Sequence, residues 1–211
     1  MFRNRNPSSS FISNHSVKAG LCALALSTFT YSAQAAVLFS DNFDSNAISL
    51  NAVPAGWTVS DGTVDIIGNG FFDFYPGNGA FIDLDGSTND AGALSHSFSL
   101  TGGVTYNASF TLGGSTRGDS NIVDVSFGTA SQSFTLASND PLALFTLGFT
   151  PAADGSYALM FANQGGDSLG AILLDVEVTH AIPEPETYAL MLAGLGMLGV
   201  VSRRRKNAVN A

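Results

Sequence analysis

Four aromatic residues lie within positions 71–75 of the sequence (FFDFY). Neighbouring side chains of a strand point to opposite faces, so these rings cannot all enter one core. Exposed rings of Phe72, Phe74 and Tyr75, together with Trp57, could stack on sugar faces while nearby Asp and Asn side chains accept hydroxyl hydrogen bonds. The segment therefore predicts a glycan-binding site. The alternative is a loop that plugs one end of a β-sandwich.

Acidic residues are the other candidate ligands, but they do not form a recognisable catalytic or metal motif. Segment 83–90 (DLDGSTND) resembles a calcium loop, yet it lacks the spaced ligands and the closing Glu of an EF-hand. No Glu precedes Glu177, so no acid–base pair for glycoside hydrolysis stands out. His96 shares a strand face with Leu94 and Phe98, which favours a core or sheet-edge position. We expect no catalytic residue and no required cofactor.

Charge is strongly segregated along the chain. Between residues 36 and 180 there are 15 acidic residues, one cation (Arg117) and no lysine. Nucleic acid and anionic lipid surfaces are therefore poor partners for this segment, whereas neutral glycans, cations or basic surfaces are admissible. Cys22, the single cysteine, precedes this segment. We therefore expect residues 36–180 to contain no disulfide and no cysteine metal site.

The elements that must position these side chains are strands. Apolar and polar residues alternate with period two, as in a strand with one buried face. The alternation covers Leu94–Leu100, Val104–Leu112, Val123–Phe127, Tyr157–Phe161 and Ile172–Val178. Gly and Asx turn signals separate these runs, and helical periodicity is absent between 36 and 180. The pattern predicts an all-β domain, an antiparallel β-sandwich.

The N-terminus has the pattern of an export signal. A basic, polar stretch extends to Lys18, an apolar run follows to about Thr30, and small residues surround Ala33 and Ala35. This order is typical of a signal peptide with a signal-peptidase site before Ala36. We therefore predict a signal peptide at 1–35 and a β-sandwich domain at 36–180.

The C-terminus has three ordered parts: Pro183-Glu184-Pro185, an uncharged run at 188–201, and the cations Arg203, Arg204, Arg205 and Lys206. As a helix the uncharged run would rise ~21 Å, which is short of a ~30 Å hydrocarbon core. We predict a single short transmembrane helix with its basic end in the cytoplasm, because flanking cations stay inside.

These three parts resemble the PEP-CTERM sorting signals, a tail that some families label as the C-terminal region of ice-binding proteins. The resemblance implies that residues 181–211 are a sorting signal whose Pro183, Glu184 and Pro185 are recognised by exosortase, an integral-membrane processing enzyme. It also implies signal peptidase and exosortase as partners, a transient inner-membrane stage, and then a cell-surface or extracellular location.

The middle segment resembles galactose-binding-like jelly-roll modules in the order of its parts. It opens with Leu38–Asp44, continues through Gly56-Trp57 and 82–86 (IDLDG), and closes on Leu174–Val178. Several such modules hold a structural calcium ion where the first and last strands meet. The resemblance implies Asp41, Asp44 and Asp175 as calcium ligands here, whereas solvated turn and edge positions explain the same acids.

The prediction for the whole chain is an exported, exosortase-processed surface or matrix protein that is not an enzyme. We expect it to be associated with extracellular polysaccharide or biofilm and to bind carbohydrate. Two alternatives stay open. A secreted glycan hydrolase would show two facing carboxylates in one cleft, and an ice- or surface-adhesion protein would show a regular array of Thr, which is not evident in the sequence.

Overall fold

The computed structural model describes residues 35–181 and 190–199. Residues 35–181 form eleven β-strands and no helix. The strands are β1 Ala35–Asp41, β2 Thr58–Ser60, β3 Asp65–Gly68, β4 Ala80–Asp83, β5 Ala93–Leu100, β6 Tyr106–Gly113, β7 Asn121–Phe127, β8 Ala130–Leu136, β9 Ala143–Phe149, β10 Gly155–Gln164 and β11 Ile172–Ala181.

The strands form two antiparallel sheets. Sheet A has the order β3-β4-β11-β6-β9, and β1 also pairs with β11. Sheet B has the order β2-β5-β10-β7-β8. The predicted all-β, antiparallel β-sandwich is confirmed.

The alternation of the sequence determines which side chains lie between the sheets. In β6 the residues Tyr106, Ala108, Phe110 and Leu112 are buried, and the residues between them are more exposed. Phe110 makes an edge contact with Phe161 of the opposite sheet at 5.1 Å between ring centroids. The core is therefore rich in phenylalanine, and its large rings form contacts that favour the edge-to-face geometry.

A second, smaller apolar cluster lies on the outer face of sheet A. Ile66 and Ile82 belong to the core between the sheets, whereas their strand neighbours Ile67 and Phe81 form a separate cluster with Ile172. Phe74, Tyr75 and Leu174 pack on this cluster. Residues 69–79, which we call the aromatic loop, thus cover part of the outer face rather than the end of the sandwich.

The first and last strands pair along one edge of sheet A. Ala35 lies opposite Ala181 and Ala36 opposite His180. The predicted signal-peptidase residues Ala35 and Ala36 therefore lie at the start of β1, while Ala33 lies outside the described residues. The domain limits at 1–35, 36–180 and 181–211 stay predictions.

The described part of the tail is a helix at residues 190–199, within the apolar run that the sequence indicates. In the ranges that the structure describes, no helix has the length and apolar character needed to cross a bilayer. Pro183, Glu184 and Pro185 lie outside the described residues, as do Arg203 to Lys206.

Candidate functional site

A groove of about 230 Å³ opens on the outer face of sheet A, beside the aromatic loop. Strands β3 and β4 form its floor, and the aromatic loop forms one wall. Three other loops complete the rim. The groove is lined by Asp65, Ile67, Phe72, Phe74, Asp83, Ser87, Arg117, Ser168 and Leu169.

Aromatic rings form the accessible wall of the groove. Phe72 is 54% exposed and its ring centroid lies 6.2 Å from that of Phe74, with the two planes tilted by 32°. Phe71, also exposed, makes an edge contact with Phe72. Phe72 has a positive φ of 46°, an unfavourable conformation for a bulky residue. Such strain is typical of functional positions and requires firm support from the surrounding loop.

That support comes from contacts of the middle and the C-terminal end of the aromatic loop. The Tyr75 hydroxyl is 2.8 Å from the carbonyl oxygen of Gly114 and 3.0 Å from that of Asp140, and either oxygen can accept its hydrogen bond. Just after the loop, Asp44 Oδ1 accepts a hydrogen bond from the Ala80 backbone N–H at 2.8 Å. Gly79 leaves room for this carboxylate, because a Cβ there would collide with Asp44. Tyr75 is thus a loop anchor and not a free stacking platform.

Two buried carboxylates form the polar floor. Asp65 and Asp83 lie directly opposite each other on β3 and β4, and they are 4% and 2% exposed. Asp65 Oδ1 accepts the backbone N–H of Asn51 at 2.6 Å, and Oδ2 accepts the Ser87 hydroxyl at 2.6 Å. The Asp65 carboxylate therefore ties the floor to two neighbouring loops.

Arg117 connects the floor to the rim. Its Nη2 lies 2.7 Å from Asp83 Oδ2, and its two terminal nitrogens donate to the carbonyl oxygens of Ser168 and Gly170 at 2.9 Å. The guanidinium carbon lies 4.8 Å from the centroid of the Phe74 ring, a cation–π distance. The Arg117 side chain thus contacts strand β4, the loop at residues 168–170 and the aromatic wall, and it fixes their relative positions.

The acidic segment 83–90 has a structural role in this arrangement. Asp85 is fully buried, and its Oδ2 accepts the backbone N–H groups of Gly166, Asp167 and Ser168. Burial raises the pKa of Asp85, and burial also raises the pKa of Asp83 to about 7 although Arg117 acts in the opposite direction. Gly170 must lack a side chain, since a Cβ at this position would collide with Asp83 and Asp85.

Trp57, expected to stack on sugars, lies elsewhere. It is 6% exposed within the core between the sheets, where its ring contacts Phe39, Phe43 and Phe161. Its indole Nε1 donates to Asp41 Oδ2 at 2.8 Å. That part of the predicted glycan site is wrong, because the hydrogen bond satisfies the polar edge of the ring and allows it to be buried.

We expect Trp57→Phe to lower the free energy of unfolding by about 1–2 kcal/mol, because it removes the indole hydrogen bond and some buried area. Urea unfolding measures this loss. The same variant should keep the glycan affinity of the parent protein, because Trp57 does not line the groove. A large loss of affinity with unchanged stability would contradict this placement.

The predicted calcium ligands are only partly brought together. Asp41 and Asp175 line a second groove of about 310 Å³ on the outer face of sheet A, together with Glu177. Asp44 is bonded instead to Ala80 and to the Asn42 amide. Across 35–181 and 190–199, no three His, Cys, Asp or Glu side chains are grouped so that they could hold a metal ion. Calcium binding stays a prediction.

His96 is half-buried on β5, the second strand of sheet B, next to the edge strand β2. Its Nδ1 lies 2.7 Å from the carbonyl oxygen of Gly56, and its ring packs against Phe39 at 4.3 Å and Phe98 at 4.6 Å between centroids. These contacts account for the side chain without a catalytic role.

Sequence reasoning found the rings of the groove but missed its polar residues. Asp65, Ser87 and Arg117 were not predicted as site residues. One signal was available, because Arg117 is the single Lys or Arg between residues 36 and 180. A lone cation in an acidic segment is expected to pair with a buried carboxylate.

The comparison with protein families concerns the tail. Residues 181–206 match the model of the PEP-CTERM protein-sorting motif. The tail is a PEP-CTERM sorting motif. It indicates export and sorting to the cell surface as an exosortase substrate, and the predicted resemblance is confirmed. No curated protein matches the chain.

The comparison with solved structures concerns the sandwich. The chain is similar to the CBM22-1 xylan-binding domain of Xyn10C from Paenibacillus barcinonensis, at 13% identity and a TM-score of 0.51, over 73% of this chain and 100% of that domain. A CBM35 domain from the same organism matches at 16% identity and a TM-score of 0.39, over 59% and 92%. Both names denote carbohydrate-binding modules. At these identities the first likeness shows the fold alone, and the predicted jelly-roll sandwich is confirmed.

Proposed function

We propose that this PEP-CTERM protein is a non-enzymatic surface or extracellular-matrix protein that binds polysaccharide in the groove on sheet A. The observation that carries the proposal is the exposed ring of Phe72 beside Phe74, directly above hydrogen-bonding side chains. Sugar rings combine an apolar C–H face with hydroxyl edges. An aromatic wall over a polar floor matches both parts of such a ligand.

The fold supports this proposal without deciding it. Carbohydrate-binding modules occur on the same jelly-roll sandwich, but a fold hosts many functions and the site must carry the argument. In this site the acceptors are the carboxylates of Asp65 and Asp83 and the hydroxyl of Ser87, and the donors are on Arg117. These groups can exchange hydrogen bonds with sugar hydroxyls at the rim of the groove.

A glycan hydrolase is the second candidate. Burial raises the pKa of Asp83 to about 7, as a general acid requires. Against it, Asp83 is paired with Arg117 and Asp65 accepts hydrogen bonds from Asn51 and Ser87, so each carboxyl is held by structural contacts and neither is poised to transfer a proton. Release of reducing ends from a bound polysaccharide, lost in Asp83→Asn, would establish the hydrolase and reject the non-enzymatic proposal.

The proposed route to the surface passes through the inner membrane. Signal peptidase would cleave before Ala36 and exosortase would remove the tail after recognising Pro183 to Pro185. Intact-mass measurement of the native surface protein tests this step. A mass that still includes Arg203 to Ala211 would contradict it.

Affinity electrophoresis of the exported protein against neutral polysaccharides tests the binding proposal. Xylan belongs in the panel because a similar domain binds it, together with cellulose and a β-glucan. Slower migration in at least one gel is expected. Unchanged migration in every gel, with no binding at millimolar oligosaccharide, would reject the proposal.

We expect Phe72→Ala to weaken glycan binding about tenfold, because a stacked ring contributes about 1 kcal/mol or more beyond its buried area. Its stability should be nearly unchanged, since the ring is exposed. Leu144→Ala is the matched control: Leu144 is 70% exposed on the same sheet and does not line the groove. Equal affinities of the two variants would show that ligand binds elsewhere.

A further inference from the structure

Two buried carboxyl groups face each other on the floor of the groove. Asp65 and Asp83 face each other across β3 and β4, and like charges directly opposite each other destabilise a sheet pair. Both carboxyls are more than nine-tenths buried, where charges interact more strongly than in water. One guanidinium faces this pair, and it contacts Asp83.

The sequence offers no second Lys or Arg to pair with Asp65. Arg117 is the single Lys or Arg between residues 36 and 180, and its terminal nitrogens are already bonded to Asp83, Ser168 and Gly170. Asp65 is satisfied only by neutral donors, the N–H groups of Asn51 and Ser87 and the Ser87 hydroxyl. Within residues 35–181, the Asp65 carboxylate therefore has no ion-pair partner.

We propose that the groove selects a glycan with cationic amino sugars, a chain of 2-amino-2-deoxyhexose units, over its neutral and anionic counterparts. This inference rests on the proposed glycan-binding function and adds the charge class of the ligand. An ammonium group on the floor supplies the missing positive charge beside Asp65. The sugar ring that carries it stacks on Phe72, whose face also attracts a cation.

The alternatives fit the same floor less well. A neutral sugar satisfies hydrogen bonds but leaves the Asp65 carboxylate without an ion-pair partner. A uronate places a third carboxylate near Asp65 and Asp83, with the Arg117 fork already engaged. At pH 6 Asp83, whose pKa burial raises to about 7, is mostly protonated, so Asp65 is the carboxylate that an ammonium group would pair with.

The test compares three matched ligands on the exported protein at pH 6: a glucosamine hexamer, an N-acetylglucosamine hexamer and a galacturonate hexamer. Isothermal titration should give the tightest binding for glucosamine, by about tenfold over the acetylated hexamer, as expected for one partly buried charge pair. Galacturonate should bind most weakly. The preference should shrink in 0.5 M salt, because screening weakens charge interactions.

A pair of isosteric variants separates the groove from the overall charge. Asp65→Asn can keep its hydrogen bonds, since the Ser87 hydroxyl can reverse its role, and it should lose the preference for glucosamine. Asp124→Asn removes an equal charge from sheet B, outside the groove, and should keep the preference. If Asp65→Asn does not fold, the three-ligand comparison on the parent protein decides the question alone.

Each result has one meaning. The inference would be overturned if the N-acetylglucosamine hexamer bound as tightly as the glucosamine hexamer, or if the galacturonate hexamer bound more tightly. It would also be overturned if Asp65→Asn kept the preference for glucosamine. If neutral polysaccharides still bind in a Phe72-dependent manner, the proposed function survives that failure. If no glycan of any charge binds, the proposed function and the inference fail together.

Discussion

Replacing Arg117 with Met is expected to lower the free energy of unfolding by about 3 kcal/mol at pH 8, because removal of one partner leaves a buried charge uncompensated. Asp83 is 2% exposed, and Asp65 lies directly opposite it. Without the guanidinium, two buried carboxylates face each other with no cation between them. Urea unfolding of parent and variant measures the loss.

The same change should weaken glycan binding, because Arg117 positions the groove as well as stabilising it. The guanidinium contacts Phe74 on the wall and donates to the carbonyl oxygens of Ser168 and Gly170 on the rim. We expect the stability loss to be smaller at pH 5, since Asp83, with a pKa of about 7, is then protonated in the folded protein. A loss that is equal at pH 5 and pH 8 would contradict a charge-pair mechanism.

Two further variants separate charge from shape. Arg117→Lys keeps the charge but not the planar guanidinium. We therefore expect its free energy of unfolding to lie between those of the parent protein and Arg117→Met. The double variant Asp83→Asn/Arg117→Met removes both partners and should recover much of the stability lost in Arg117→Met alone. If the two single losses simply add, the residues are not coupled.

The sequence predicted the central strands well because their periodicity records burial directly. The runs at 104–112 and 172–178 correspond to β6 and β11, which pair with each other at the centre of sheet A. Strands β3 and β4 are only four residues each, and every residue in them is buried. Period-two alternation is absent there, because one face packs on the core and the other on the aromatic loop.

The candidate site was predictable in its rings but not in its polar partners. Four aromatics in five residues cannot share one strand face, and the structure indeed exposes Phe72 while Phe74 and Tyr75 pack on an outer cluster. Which surface the loop covers depends on the Tyr75 hydroxyl reaching Gly114 and Asp140. Such contacts join distant parts of the chain, and no local pattern encodes them.

The contrast between Trp57 and Phe72 shows the same limit in energetic terms. Both are large aromatic residues near glycines, so the sequence alone predicts a sugar-binding role for either of them. Trp57 is buried because Asp41 satisfies its indole N–H, and Phe72 is exposed because a positive φ turns it out of the loop. A single hydrogen bond and a single backbone angle therefore separate a core residue from a candidate binding residue.

The free energy of unfolding should fall as pH rises from about 4 to 7. A carboxyl group that the fold stabilises in its ionised form would give the opposite trend. Burial is the main reason that Asp83 has a folded-state pKa of about 7, whereas an unfolded Asp has a pKa of about 3.9. In that window the folded protein holds a proton that the unfolded chain has released, so rising pH favours unfolding. The contribution of Asp83 is up to about 4 kcal/mol, fully present below about pH 4 and lost above about pH 7.

Urea unfolding at pH 4.5, 6 and 7.5 measures this slope, and Asp83→Asn should remove most of it. A smaller slope of the same sign should remain, because burial also raises the pKa of Asp85. Asp124→Asn is the control: hydrogen bonds from Ser133 and Gln164 lower the pKa of Asp124, so its contribution is lost only in stronger acid. Stability that rises with pH across this window, or a slope that Asp83→Asn leaves undiminished, would show that Asp83 is held ionised. Arg117 would then outweigh burial at the floor of the groove.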